Sequence, residues 1–68
     1  MASMLEYIKI ILQKVSFDRR LFEKELRKAI RMLMPAEVRR LRQWCYDNYG
    51  TIHLPVLNTC FARLSSLG

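Results

Sequence analysis

Apolar residues recur every three or four positions along nearly the whole chain, and no stretch alternates apolar with polar for long enough to make a strand. That period predicts an all-α fold. Two prolines, Pro35 and Pro55, punctuate it, each suited to the first turn of a helix, where the missing amide would have no partner in any case. The pattern therefore predicts a compact bundle of about four short helices, over about residues 4–15, 18–33, 35–48 and 54–65, in one small domain spanning residues 1–68.

The first segment places Met4, Leu5, Ile8, Ile11, Leu12 and Val15 on one face, with Lys9, Gln13 and Lys14 elsewhere. Ser3 and Glu6 have the spacing of a capping box. In "VSFD" either Ser16 or Asp18 is suited to cap the second helix, with Phe17 packing back on its first turns. That helix carries Phe22, Leu26, Ala29, Ile30 and Leu33 inward, with Leu21 at the edge of the stripe. Met34 is the hinge before Pro35. Val38, Leu41, Cys45 and Tyr49 form the inward stripe of the third helix, with Trp44 beside it, and Gly50 should end it in a left-handed cap. Thr51 is a candidate cap for the last helix, which turns Leu57, Cys60, Phe61 and Leu64 inward.

A chain of 68 residues buries a smaller share of its surface than a typical domain, so its core needs support from good packing, a metal, disulfides or a partner subunit. Two cysteines cannot staple a secreted scaffold, and with the single His53 they cannot complete a four-ligand zinc site. No metal or cofactor is expected. The N-terminus lacks the pattern of a signal peptide, no apolar run is long enough to span a bilayer, and Cys45 and Cys60 read as buried thiols of a reducing compartment. The expected location is cytoplasmic, away from the membrane.

The formal net charge is +6, and all of it belongs to one window. From Arg19 to Arg42 there are nine basic residues against three acidic ones, while elsewhere three of each cancel. At ~100° per residue, Arg20, Lys24, Arg27 and Arg31 share the outer face of the second helix with Lys28 beside them. Arg19 stands at its start, and Arg39, Arg40 and Arg42 follow on the third. A localised field of this kind attracts polyanions. The plainer reading is a solvated face, the usual outside of an amphipathic helix. In "WCYDNY", Tyr46 is expected to be exposed and to offer a ring for stacking bases, whereas Trp44 and Tyr49 are expected to be buried. Cation–π contacts between Arg42 and Tyr46, and between Arg40 and Trp44, explain the same pairing without a ligand.

Catalytic chemistry finds no constellation. Cys45 and Cys60 lie on apolar stripes, Glu23 and Glu25 face different ways, and His53 sits in a connection, where a capping or solvent-facing role is expected. The sequence thus points to a non-enzymatic binding module, with no small-molecule substrate, acting on a protein partner or in a regulatory role. Tyr7, Ile10 and Met32 lie off the inward stripes and form a candidate self-association surface, most simply in a homodimer. The alternative is an electrostatic RNA or DNA binder using the 19–42 segment.

Overall fold

Four helices form where the periodicity places them: α1 (Met4–Val15), α2 (Arg19–Met32), α3 (Pro35–Tyr49) and α4 (Leu54–Leu67). The computed structural model describes the backbone of residues 3–67 and the side chains of residues 3–62. Among the described residues there is no strand. Leu64, expected inward, lies outside the described side chains.

Each start has a local cause. Ser3 Oγ accepts the Glu6 amide at 3.2 Å, so one unpaired amide of the first turn of α1 is satisfied. Asp18 is the cap of α2, its Oδ1 accepting the amides of Arg20 at 2.9 Å and Leu21 at 3.1 Å. Ser16, the other candidate, instead donates its hydroxyl to the Gln13 carbonyl at 2.9 Å. Leu33 and Met34 are extended, and Pro35 opens α3, with the Met34 amide donating to Glu37 Oε1 at 3.3 Å.

Three local expectations are corrected. Phe17 does not pack back on α2; it is 82% exposed. Gly50 ends α3 in the right-handed region, at φ −62° and ψ −22°, and its amide donates to the Tyr46 carbonyl. A glycine suits this position because a Cβ there would collide with the Tyr46 carbonyl oxygen, a close approach rather than a left-handed turn. Thr51 does not cap α4. His53 stands immediately before that helix, its carbonyl accepting the Leu57 amide at 3.0 Å while its amide donates to the Tyr49 carbonyl at 2.9 Å.

The core joins all four helices. Leu12, Phe22, Leu26, Leu41, Cys45 and Leu57 are fully buried. Around them pack Leu5, Ile8, Ala29, Leu33, Val38, Val56, Cys60 and Phe61, while Val15, Ile30, Trp44 and Tyr49 are half-buried against the cluster. The Cα radius of gyration is 11.0 Å, matching the roughly 11 Å expected of a compact chain of this length.

Packing follows a ring. α1 lies against α2 and α3, and α4 lies against the same two helices, so α2 and α3 occupy opposite corners. The sequence expectation that the short link at Met34–Pro35 keeps α2 and α3 close together is corrected: each of them packs instead on α1 and α4.

His53 is the largest departure from expectation. It is neither exposed nor a simple surface cap: the ring is buried, stacked on Phe22 at 4.5 Å between centroids and 23° between planes. Nε2 donates to the Ser16 carbonyl at 2.7 Å, since a carbonyl oxygen can only accept. One residue thereby ties the end of α3 and the start of α4 to the α1–α2 turn.

Candidate functional site

Two surfaces stand out, one apolar and one basic. Along the seam between α1 and α2 runs a groove of about 110 Å³. From α1 it is lined by Met4, Tyr7, Ile8, Ile11 and Leu12, residues that recur at three and four positions and so share a helix face. From α2 come Glu25, Lys28, Ala29 and Met32. Ile8, Leu12 and Ala29 form the floor, while Tyr7 (57% exposed), Met32 (53%) and Met4 (46%) stand up around it. Of the candidate self-association residues, the structure brings Tyr7 and Met32 together in this groove. Ile10 is exposed but does not line it.

Met4, Glu25 and Lys28 were not assigned to this surface from sequence. Met4 counts there as a core residue and Lys28 as one of the outer cations. Their place in the groove depends on how α1 docks on α2, and single-helix periodicity carries no such signal.

The basic surface lies on the outer face of α2. Arg20, Lys24, Arg27, Lys28 and Arg31 line one open depression with Glu23 as its only acid, as the angular spacing predicts. Glu23 is already engaged by Arg27, Nη2 to Oε2 at 3.2 Å, a pair too exposed to contribute more than a few tenths of a kcal/mol. Arg19, Arg39 and Arg40 are exposed but line no part of this depression. Arg42 belongs to a separate shallow hollow with Tyr46, Asn58 and Phe61. The charge that is continuous in sequence is thus divided in space, because α2 and α3 stand at opposite corners.

Tyr46 is not the exposed platform expected. It is half-buried: its hydroxyl donates to Asn58 Oδ1 at 2.7 Å, its ring lies 6.2 Å from that of Phe61, and the Arg42 guanidinium sits 5.2 Å from its centroid. Trp44 is half-buried edge-on to Tyr49 and is covered by the Lys9 ammonium at 5.8 Å, rather than by Arg40. The rings of this segment therefore serve the packing of α3 on α1 and α4.

Nucleophilic groups are muted. Cys45 and Cys60 are both buried thiols, and that of Cys45 is pushed up to about 12, first by burial and then by the charge of nearby Cys60. A thiol so shifted is protonated near neutral pH and a poor nucleophile. No group of three or more His, Cys, Asp or Glu among the described residues is placed to hold a metal ion. No helix among them is long and apolar enough to cross a membrane.

Comparison with models of known protein families, with curated proteins and with solved structures finds no match for this chain.

Proposed function

We propose that the protein is a small non-enzymatic binding module, a protein-interaction or regulatory element that holds its partner through the α1–α2 groove. The observation that carries this reading is the clustering of Met4, Tyr7 and Met32, three large apolar side chains that stay exposed around one apolar floor. Isolated exposed apolar residues are ordinary on a protein surface; a contiguous set beside a groove marks an interaction site. Methionines suit such a site because their flexible side chains adapt to a partner's shape. The protonated, buried state of Cys45 and the engagement of His53 with Ser16 support a role without catalysis. Buried thiols on two facing helices also suit a reducing compartment such as the cytoplasm.

The test is site-specific photo-crosslinking in cells, with a photoreactive amino acid placed at Tyr7 and, as control, at Lys24. Covalent protein adducts from Tyr7 and none from Lys24 are expected. Absence of any protein adduct from Tyr7 would refute the reading.

The basic face of α2 supports a second reading, polyanion binding, on the observation that five cations line one depression. If four or five of them met phosphates of duplex DNA together, the log–log slope of affinity against salt would be roughly −4. Lys24 and Arg31 have no ion-pair partner among the described residues, so reversing both to glutamate tests the contact without breaking an internal pair. A salt-steep affinity abolished by the reversal supports polyanion binding; negligible nucleic-acid affinity in the unaltered protein excludes it.

A further inference from the structure

Along α2, beside and partly lining the groove, one row of residues has an order that reverses onto itself. Leu21, Glu25, Lys28 and Met32 follow one another at four, three and four positions, so they form one row along the helix. Leu21, Lys28 and Met32 are exposed and Glu25 is half-buried. Read from either end the row is apolar, charged, charged, apolar, and the two charges are opposite. Neither Glu25 nor Lys28 has an ion-pair partner among the described residues, although other acids on the surface, Glu6 and Glu23, are paired within their own helices.

A two-fold axis brings every residue i of one copy to a residue j of the other, and j to i, so a self-complementary surface must match its own reverse. We infer that the occupant of this face is a second copy of the same chain, with the two α2 helices antiparallel about an axis passing between Leu26 and Arg27. In that register Leu21 of each copy meets Met32 of the other, and Glu25 of each meets Lys28 of the other. The apolar ends of the row extend the groove, where Met4 and Tyr7 from α1 flank Met32.

The charges decide the occupant. A net-basic chain meets a copy of itself with general repulsion, and the row is the part of α2 where that repulsion is cancelled locally, one acid against one base at two symmetric places. The neighbouring row of Arg20, Lys24, Arg27 and Arg31 has no such balance and stays turned to solvent. Register also follows: sliding one helix by four positions, about one turn, would strand Glu25 opposite Met32 in one direction and Lys28 opposite Leu21 in the other, so the charge pair fixes one alignment as well as one partner.

This inference rests on the reading of the α1–α2 groove as a protein-binding surface, and its test separates the two. Sedimentation equilibrium of the unaltered chain up to about 1 mM, the weak end of specific association, should show a monomer–dimer equilibrium. Glu25→Lys alone places two cations together at both symmetric contacts, and Lys28→Glu alone places two acids there. Each should weaken the dimer by about 10-fold or more. The double variant Glu25→Lys, Lys28→Glu restores both pairs and should return to within about threefold of the unaltered chain. Circular dichroism of each variant confirms that the helices persist.

A strict monomer over the whole range overturns the inference, as does a dimer whose strength is the same in all four proteins, or a double variant as weak as the singles. If the chain is monomeric while Tyr7 still crosslinks to a different protein, the second-copy inference fails and the interaction reading stands. If Tyr7 gives no adduct at all, both fail.

Discussion

His53→Ala removes a side chain that joins the α3–α4 link to the α1–α2 turn. Three contributions are lost. The Nε2–H bond to the Ser16 carbonyl at 2.7 Å contributes about 0.5–1.5 kcal/mol net. The stack on Phe22 at 4.5 Å adds about 0.5–1.5 kcal/mol beyond its area. The buried ring also leaves a cavity between Phe22 and Tyr49. Together these give a loss of about 2–4 kcal/mol, from a chain whose whole stability is on the order of 3–10 kcal/mol. Melting should fall by about 10–30 °C. His53→Phe keeps the ring and loses the donor; because Ser16 is half-exposed its carbonyl regains water, and the expected loss is about 1 kcal/mol. Denaturant titration followed by circular dichroism gives both numbers, and a cycle with Phe22→Leu isolates the stack. A His53→Ala protein within about 0.5 kcal/mol of the unaltered chain would refute the reasoning, because ordinary surface substitutions change stability no more than that.

Leu41→Ala, at a fully buried position in contact with the central cluster, should cost about 2–5 kcal/mol, whereas Ile30→Ala, half-buried at its edge, should cost visibly less; equal losses in parallel denaturant titrations would contradict the burial order. With Cys45 at about 12, its thiolate at pH 8 is about one part in ten thousand, against about a tenth for the same thiol at its ordinary value near 9, so a water-soluble disulfide reagent should label the folded chain at Cys45 about a thousandfold more slowly than in denaturant. The same shift has a direction in stability: the folded state resists ionisation, so its contribution is intact below the unfolded value near 9 and is lost as pH rises toward 12, at up to about 1.4 kcal/mol per pH unit. Cys45→Ala should flatten that alkaline decline, measured as the difference between the two proteins so that tyrosine and lysine ionisation cancels.

The helices are legible in the sequence because what forms them is local. Ser3, Asp18, Pro35 and the three-and-four spacing act within a turn or two, and the observed ends fall within a residue or two of those expected. His53 could not be read in this way. A polar residue in a connection reads as solvent-facing, and its burial comes from Phe22, Tyr49 and Ser16, none within three residues of it. Tyr46 failed for the same reason: its partner Asn58 lies on another helix, twelve positions away. Phe17 failed in the opposite direction, an apolar residue in a turn whose helix left no stripe for it to join. The groove was half legible. Tyr7 and Met32 stand out as apolar residues off the stripes, but Glu25 and Lys28 gain their meaning only when α1 lies against α2.

The Ser16–His53 bond closes a span of 37 residues, far more than contacts between consecutive helices require. α1 docks on α2 and α3 on α4 as consecutive helices, contacts that form early because little chain has to be closed to make them. The bond needs both hairpins in place, so it belongs to the downhill side of the barrier. Its removal should then leave the refolding arm of the chevron nearly unchanged and steepen the loss on the other arm, shortening the lifetime of the native state by nearly the full factor that the equilibrium loses. A histidine at a helix junction would in that way govern how long the bundle lasts once made, with little say in how quickly it is made.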